Sequence, residues 1–411
     1  MAAGPRRDRR GRAAAVISPH EALEIVLRES PRLEPVLVPL ADAVGAVLAE
    51  PVAADMDLPP FDKSAMDGCA VRAADVAHLP ADLAIIEELP AGTAPARPLA
   101  PGACAKTMTG APVPPGADLV VPVEDTETLL DGRVRIVRAD AERTNICPRG
   151  EDVRRGETVL EAGRLLRPAE IGVLAAVGRD RAPVFRRPRV AVLATGEELV
   201  PVSSVPGPGQ IRNANSSSLL ASCRAAGVPA DDLGVARDER ADLRAKVEQG
   251  LGRDVLIVSG GVSMGERDFV PRVLQDVGVT IHFATVRMKP GKPTVFGARG
   301  RSVVFGLAGN PVSTLVGFHL FVRPCLRRMM GRSDAAWQVL EARLLAPARA
   351  RDDRVNFAPA VLRHDAGGWA AVPLPTHGPA DLVGFSRANA LLMLDPGAYA
   401  AAARVPAIPL E

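Results

Sequence analysis

The pattern of apolar and polar positions changes several times along the chain, and each change predicts a different structure. Ser18-Pro19-His20-Glu21 is typical of a capped helix start, and apolar residues follow it at helical spacing as far as Leu27. Residues 50–140 consist of short apolar runs broken by Pro and Gly, which predicts a β-rich segment. These runs are Leu83–Ile86, Leu119–Val123 and Val134–Val137, and a second helix is predicted near Pro168–Val177.

From Arg189 onward, apolar runs of strand length alternate with segments of helical periodicity. This alternation is typical of βαβ units and predicts a doubly wound α/β domain with a parallel sheet covered on both faces. Residues 332–411 return to short strands and turns, which predicts a small β-barrel or β-sandwich. The predicted strands are Val190–Ala194, Leu233–Ala236, Val255–Val258 and Ile281–Val286, and the predicted helices are Ser216–Ala226, Ala241–Gln249, Phe269–Val277 and Pro311–Met330.

Composition and charge exclude several classes of protein. The length of 411 residues suggests roughly two to four domains, and a formal net charge of +2 argues against a nucleic-acid-binding protein. No apolar run reaches the ~18 residues of a membrane-spanning helix, so no membrane association is expected. The five cysteines are odd in number and widely spaced, which predicts neither a disulfide framework nor a zinc site and favours the reducing cytoplasm.

The chain begins with a basic segment that is predicted to be a disordered tail. Its arginines have no bulky apolar neighbours with which to form a core. Paired arginines also occur in export signals, but here no apolar segment of sufficient length follows them.

Lysine is scarce, which draws attention to one loop. Two of the five lysines in the chain lie in Lys289-Pro290-Gly291-Lys292-Pro293, whereas most other cations are arginines. Lysine presents a compact point charge, so this proline-stiffened loop predicts two ammonium groups held at fixed positions. Considered alone, the loop is equally well explained by chance clustering of solvated charges.

Four loops at the predicted strand ends carry glycine and polar residues, and they begin at Thr195, Ser259, Lys289 and Gly306. Because ligands of doubly wound domains bind at the carboxyl ends of the strands, we expect these loops to meet at one rim. Gly260 and Gly261 precede a helix and suit the close approach of an anion, although a simple tight turn would use the same residues. The loop matches neither a Walker A sequence nor the Rossmann fingerprint.

Carboxylates follow the same predicted strands. Glu198, Asp238 and Asp268 would lie beside a bound phosphate, and Mg²⁺ commonly bridges carboxylates and phosphates in such an arrangement. Each acid could instead be a solvated charge or a helix cap, and for Asp268 at a helix start a cap is at least as good an explanation.

The β-rich segment contributes three polar turns that contain Asp67, Thr109 and Asp152. Small residues surround Asp67 and predict a crowded turn that presents its carboxylate. Composition alone explains all three as ordinary turns.

Seven short motifs nevertheless occur together in one order. They are Ser-Ala-Met-Asp-Gly at 64–68, Met-Thr-Gly-Ala-Pro-Val-Pro at 108–114, Gly-Glu-Asp at 150–152, Thr-Gly-Glu-Glu-Leu at 195–199, Ser-Gly-Gly-Val-Ser-Met-Gly at 259–265, Lys-Pro-Gly-Lys-Pro at 289–293 and Gly-Asn-Pro-Val-Ser at 309–313. In order and spacing the chain resembles the molybdopterin molybdenumtransferase family, which is related to the C-terminal part of gephyrin. The resemblance covers roughly residues 18–400.

The resemblance implies a reaction and a set of site residues. Molybdate would be inserted into adenylylated molybdopterin with release of AMP, in the presence of a divalent cation such as Mg²⁺. The implied catalytic residues are Asp67, Asp152, Glu198, Asp268, Lys289 and Lys292. The implied substrate-binding residues are Thr109, Gly260, Gly261, Ser263, Asn310, Pro311 and Ser313, and the implied metal ligands are Asp67, Glu198, Asp238 and Asp268.

The resemblance also implies an assembly. Family members are homodimers of elongated subunits, with the active cleft between the α/β domain of one subunit and the β-rich domain of the other. A separate molybdopterin adenylyltransferase is the expected partner. The expected divisions are a tail (1–17), a linker and dimerisation domain (18–58 and 140–187), a β-rich domain (59–139), an α/β molybdopterin-binding domain (188–331) and a C-terminal β-barrel domain (332–411).

Three positions depart from the family pattern. Ala308 stands where Pro is usual, Lys63 where Asn or Gln is common, and Gly378-Pro379 where Gly-Ser is common. The change at Ala308 frees the backbone beside the anion pocket. A pyridine-nucleotide deamidase or pyrophosphatase on the same α/β unit would lack the motif at 64–68, and a non-catalytic scaffold paralogue is the remaining alternative.

Overall fold

The first helix forms where the capping sequence predicts it. In the computed structural model, which describes residues 16–410 except 141, 238, 263–268 and 351–352, α1 spans Pro19–Glu29. The Ser18 hydroxyl accepts from the Glu21 N–H at 3.2 Å, and the Glu21 carboxylate accepts from the Ser18 N–H at 2.7 Å. The apolar face of α1, which includes Ala22 and Val26, packs into the core of the α/β domain.

The β-rich part of the chain contains short strands in two kinds of sheet. A six-stranded sheet has the order β7-β4-β6-β5-β9-β8, and the remaining strands of this part form two-stranded pairs, β1 with β12, β2 with β11 and β3 with β10. The elements in chain order are β1 Pro35–Pro39, β2 Val52–Ala53, β3 Lys63–Ser64, β4 Gly68–Val71, β5 Ala81–Leu89, β6 Ala103–Thr107, β7 Leu119–Pro122, β8 Thr126–Thr128, β9 Val134–Ile136, β10 Ile146–Cys147, β11 Thr158–Leu160, α2 Pro168–Ala176 and β12 Arg181–Phe185.

The six-stranded sheet buries apolar side chains on both faces. Cys69 and Val71 of β4 belong to one apolar cluster, whereas Ala70 between them belongs to another. This follows from the two-residue repeat of a strand, which sends successive side chains to opposite faces. The sheet therefore holds the turn before β4, which carries Asp67, on a rigid base.

The α/β domain contains a sheet with the order β16-β13-β17-β21-β20-β18. Val190, Val192 and Ile257 belong to the apolar cluster on one face, whereas Leu193 and Val258 belong to the cluster on the other. The domain is therefore doubly wound, as predicted. Its elements are β13 Val190–Thr195, β14 Leu199–Val200, β15 Ile211–Arg212, α3 Ala214–Ala225, β16 Ala230–Ala236, α4 Arg240–Gly250, β17 Val255–Ser259, α5 Val270–Asp276, β18 Thr280–Phe283, β19 Met288–Lys289, β20 Thr294–Arg299, β21 Ser302–Leu307, α6 Pro311–Gly317 and α7 Arg323–Met329.

The prediction of a wholly parallel sheet was wrong. β16, β13, β17 and β21 run parallel, but β20 is antiparallel to both β21 and β18. The cause is a hairpin between β20 and β21 that turns at Gly300, whose φ of 60° is in the region that glycine tolerates. Both hairpin strands are largely buried, but Gly297 and Gly306 interrupt their apolar runs, so the sequence pattern did not reveal them. The predicted strand Ile281–Val286 also ends earlier, at Phe283.

The predicted helix Pro311–Met330 is helical from Pro311 to Met329, but its middle, Phe318–Val322, is π-helical. Pro324 has no N–H to donate to the carbonyl of Leu320, four residues earlier. The indole N–H of Trp337 donates to that carbonyl instead, at 2.7 Å. No helix among the described residues combines the length and apolar character that crossing a bilayer requires.

The C-terminal region forms a closed barrel, in agreement with the first of the two predicted alternatives. Its five strands are hydrogen-bonded in the order β24-β25-β22-β28-β26, and β26 returns to pair with β24. Met288 and Lys289 of β19 pair with Val355 and Asn356 of β24, which ties the lysine loop to the barrel. The elements are β22 Leu340–Leu344, β23 Ala348–Ala350, β24 Val355–Asp365, β25 Gly368–Pro373, α8 Leu382–Phe385, β26 Ala390–Leu394, β27 Gly397–Tyr399 and β28 Arg404–Pro409.

We expect Gly68→Ala to destabilise the six-stranded sheet. A Cβ at residue 68 would lie 2.0 Å from the carbonyl oxygen of Val121, so the backbone of β7 would have to shift. Overpacking of this kind costs about 1–3 kcal/mol, which should lower the melting temperature measured by circular dichroism.

Gly172→Ala is the matched control for this substitution. A Cβ there meets no atom within 4 Å, and the residue lies inside helix α2. Alanine should stabilise that helix by roughly 0.5–1 kcal/mol. Equal melting temperatures for the two variants would contradict the steric explanation.

Candidate active site

A cavity of about 770 Å³ lies at the carboxyl ends of β13, β17 and β21, and we call it the strand-end cavity. The loops that follow these three strands line it. Among the residues predicted from sequence, it contains Glu198, Gly260, Gly261, Asn310 and Pro311. This is the edge at which doubly wound domains bind their ligands.

Crowding between two of these loops explains the glycine pair. Gly260 and Gly261 have φ values of 96° and 64°, which favour glycine. A Cβ at residue 260 would lie 2.6 Å from the carbonyl oxygen of Thr195, and one at residue 261 would lie 2.9 Å from the Thr195 hydroxyl. The glycines therefore allow the loops after β13 and β17 to meet and leave main chain exposed to the cavity.

Glu198 supplies a carboxylate to the cavity. A Cβ added to Gly196 would lie 2.6 Å from each carboxylate oxygen of Glu198. The carboxylate therefore lies directly over the backbone at the end of β13. The side chain is exposed. Carboxylate oxygens are suitable ligands for Mg²⁺, which commonly takes one or two of them together with substrate phosphates.

Sequence reasoning missed Asn213 and Asn215, which also line the strand-end cavity. Asn213 caps α3 by accepting from the Ser216 N–H at 3.1 Å. The Asn215 amide donates to the Ser259 hydroxyl at 2.9 Å and to the Gly309 carbonyl at 2.7 Å, which joins the loops after β17 and β21. The N-cap preference of Asn in Arg-Asn-Ala-Asn-Ser could have signalled that the helix begins at Ala214.

The lysine loop lines a second cavity of about 680 Å³, which we call the lysine cavity. This cavity lies between the α/β domain and the barrel, and Ser313 forms part of its wall. Gly291 has a φ of 91°, and a Cβ there would lie 2.9 Å from Met288. The described cations that line the cavity are Lys289, Lys292, Arg349 and Arg354.

The two cavities adjoin. Pro293, Ala308 and Asn310 line both of them. Thus Ala308, which departs from the family pattern, lies at their junction, where its carbonyl accepts from the Thr314 hydroxyl at 2.6 Å. The Pro379 carbonyl accepts from the Val312 N–H at 3.0 Å, so the barrel touches the start of α6 there.

Asp67 and Thr109 form a separate exposed pair. One Asp67 oxygen accepts from the Thr109 N–H at 2.6 Å and from the Thr109 hydroxyl at 2.7 Å. These bonds favour the ionised form and hold the pKa of Asp67 below its ordinary value, with the backbone bond the larger cause. The pair presents a carboxylate that is ionised at neutral pH on the surface of the β-rich part.

The third polar turn of the β-rich part carries Asp152, which is exposed. Its N–H donates to the Leu58 carbonyl at 2.9 Å. Gly150 in the same turn has a φ of 71°, which accounts for glycine in the Gly-Glu-Asp motif. No described residue in the range 59–139, and neither Asp152 nor its described neighbours in the turn, lines the strand-end cavity or the lysine cavity.

Three predicted site residues, Asp238, Ser263 and Asp268, lie outside the described residues. Within the residues that the structure does describe, no group of three or more His, Cys, Asp and Glu side chains could hold a metal ion. Of the predicted metal ligands, only Glu198 is therefore described at the strand-end cavity.

Comparisons with known proteins agree with this architecture. Residues 17–178 match the MoeA N-terminal region (domain I and II), residues 191–328 match a probable molybdopterin binding domain, and residues 341–410 match the MoeA C-terminal region (domain IV). A Mycobacterium tuberculosis protein named molybdopterin molybdenumtransferase 2 is 39% identical over 343 residues, which is 81% of this chain and 84% of the relative. The chain belongs to the molybdopterin molybdenumtransferase family.

Other relatives in the molybdopterin molybdenumtransferase family are similar over most of their length. The Bacillus subtilis molybdopterin molybdenumtransferase is 34% identical over 88% of this chain and 86% of the relative. The crystal structure of a molybdopterin biosynthesis MoeA protein from Pyrococcus horikoshii has a TM-score of 0.82 at 31% identity, covering 97% of this chain and all of that one. The strand-end cavity lies in the region that matches the probable molybdopterin binding domain.

We expect Thr109→Val to raise the pKa of Asp67 toward its ordinary value. The hydroxyl bond is lost while the backbone bond remains, so Asp67 should be protonated at a higher pH than in the unchanged protein. A carboxyl-detected NMR titration would measure the change. Thr126→Val is the control, because that hydroxyl donates to the Val123 carbonyl and does not contact Asp67. An unchanged pKa in Thr109→Val would contradict the assignment.

We expect Asn215→Ala to impair molybdenum transfer, because it leaves the Ser259 hydroxyl and the Gly309 carbonyl without their shared donor. A loss of about 1–3 kcal/mol corresponds to a fall of roughly 5- to 150-fold in kcat/KM. Ser222→Ala is the control on the same helix, since its hydroxyl bonds only within the helix. Equal kcat/KM values for the two variants would show that Asn215 does not hold the loops in a productive arrangement.

Proposed function

We propose that this chain transfers molybdenum from molybdate to adenylylated molybdopterin and releases AMP. The main observation that supports the proposal is that the strand-end cavity and the lysine cavity meet at Pro293, Ala308 and Asn310. A nucleotide-linked substrate and an oxyanion have to meet for this reaction, and adjoining cavities of different charge suit such a pair.

The strand-end cavity suits the pterin and its phosphates. Gly260 and Gly261 allow phosphate to approach the main chain closely, and Asn215 keeps the flanking loops in register. Attack of water breaks the phosphoanhydride, which frees AMP and leaves the other phosphate on the pterin, and preorganised donors aimed at the phosphates would stabilise the charge that develops.

The lysine cavity suits the oxyanion. Molybdate is a tetrahedral dianion, and Lys289, Lys292, Arg349 and Arg354 line this cavity from two domains. Because β19 is paired with β24, the lysine loop is held beside Arg354, which directly precedes the first paired residue of β24. The cations would concentrate molybdate beside the substrate without needing to reorganise during the reaction.

A divalent ion, Mg²⁺ by resemblance, would neutralise phosphate charge when bound. Glu198 is the described carboxylate of the strand-end cavity that could hold it, and Asp238 and Asp268 are further candidates from sequence.

We further propose that the enzyme acts as a homodimer. Asp67, Thr109 and Asp152 line neither described cavity of their own chain, although the family resemblance implies that they belong to the active site. A second copy could bring them to the cleft. A separate adenylyltransferase would supply the substrate, and the free cysteine thiols favour the cytoplasm.

The test is the release of AMP from adenylylated molybdopterin by purified protein with Mg²⁺, with and without molybdate. We expect molybdate to stimulate release, and Lys289→Ala to reduce it by roughly 10²–10³-fold because one charge-stabilising group is lost. Lys106→Ala is the matched control, since Lys106 pairs with Glu88 on the β-rich sheet.

Two results would contradict the proposal. Tight binding of the adenylylated substrate without AMP release would instead support the scaffold paralogue. Equal rates for Lys289→Ala and Lys106→Ala would remove the lysine loop from the reaction.

A further inference from the structure

A third concave surface lies where the N-terminal part of the chain meets the end of α7. Two adjoining cavities of about 530 and 340 Å³ share Gly163, Arg332 and Ser333, and we call them together the arginine cleft. The cleft shares no lining residue with the strand-end cavity or the lysine cavity. Its described charged lining residues are Arg28, Arg32, Arg164, Arg167, Arg328, Arg332 and Asp334.

The described carboxylates do not balance these arginines. Arg164 and Arg167 share the single carboxylate of Glu170, at 2.8 and 2.6 Å. Arg332 is paired with Asp334 at 2.6 Å, and Arg28 is paired with Glu29 at 2.9 Å. Among the described residues, positive charge therefore remains in excess at the cleft.

Two of the arginines have no carboxylate partner among the described residues. The Arg32 guanidinium lies over the Phe185 ring, 5.2 Å from its centroid, and Arg328 forms no described ion pair. Helix C-termini attract cations, which accounts for Arg28 and Arg328 in the last turns of α1 and α7. It does not account for Arg32, which lies beyond the end of its helix.

The charge excess affects a neighbouring group. The pKa of Arg327 is lowered, first by burial and then by the positive charge of Arg332. The carboxylate of Asp334 partly offsets this repulsion. An anion bound beside Arg332 would offset it further.

The floor of the cleft is rigid. Gly331 has a φ of 78°, and a Cβ there would lie 2.3 Å from the Phe185 ring. The ring is thus packed closely against the main chain, and the Arg32 guanidinium lies over it. A guanidinium held on an aromatic ring is preorganised, so less side-chain entropy is lost when it binds phosphate.

We propose that the arginine cleft binds a small, multiply charged phosphate compound. Arginine forks match phosphate oxygens in pairs, and a cavity of this volume accommodates a small phosphate ester or a diphosphate. The site is separate from the proposed transferase site and would bridge the N-terminal part of the chain to the α/β domain.

The test is a calorimetric titration of inorganic pyrophosphate at constant ionic strength. The protein is the full-length Lys289→Ala, Lys292→Ala double variant, in which the lysine cavity has lost two of its cations. We expect one pyrophosphate to bind per chain. Adding Arg328→Gln should weaken binding at least ~10-fold, since charge-assisted contacts are lost.

Arg32→Gln gives a second, independent variant at an exposed position, and it should weaken binding similarly. Arg244→Gln is the matched control, because Arg244 lies on α4 and pairs with Glu248. AMP release should be unchanged by Arg328→Gln alone. The phosphate-site proposal can therefore fail without affecting the transferase proposal, and the two failures are distinguishable. Two results would overturn the proposal. One is that pyrophosphate does not bind to the double lysine variant; the other is that Arg328→Gln, Arg32→Gln and the control Arg244→Gln all bind pyrophosphate with equal affinity.

Discussion

The contact between the loops after β13 and β17 is the constraint on which the candidate site depends. Thr195 lies so close to Gly260 and Gly261 that no side chain could be accommodated at either glycine. Because these loops lie at the carboxyl edge of the sheet, their contact sets the width of the strand-end cavity. Asn215 then extends the same close packing to the loop after β21, through two hydrogen bonds.

A second connection crosses the domain boundary. The pairing of β19 with β24 makes the lysine loop part of the sheet that forms the barrel, while Val286 and Thr294 at its flanks remain in the α/β domain. The lysine cavity consequently has walls from both domains, and its cations come from both. Motion between the two domains would change the spacing of the cations that line this cavity. The barrel therefore has a role in the site even though its strands lie outside the α/β domain.

The arginine cleft shows a different use of a domain junction. There the charges come from the ends of two helices and from the loops between them, and the described carboxylates do not match them in number. Charge in excess at a junction costs stability unless it is solvated or bound by an anion. The close contact between Gly331 and the Phe185 ring restricts movement of that surface.

Local patterns predicted much of the fold correctly. The capped start of α1, the buried strand β13 and the order of elements through α3, α4 and α5 follow from short-range periodicity, because each element carries its own signal. The β20–β21 hairpin was not predicted, since Gly297 and Gly306 interrupt the apolar runs of its two strands, and glycine is unfavourable within strands. The Leu320 carbonyl in the π-helical turn before Pro324 accepts from Trp337, thirteen residues after that proline, and this contact could not be read from the helix itself.

Residue type and spacing alone identify the residues whose chemistry suits an anion site: the glycine pair, the lysine pair and the isolated carboxylates. How these residues are grouped depends on the folded chain. It divided the expected single rim into two adjoining cavities, added Asn215 and the barrel arginines, and left Asp67 paired with Thr109 outside both cavities. The physical reason is that residue type is a local property, whereas grouping depends on strand order and on the packing of one domain against another.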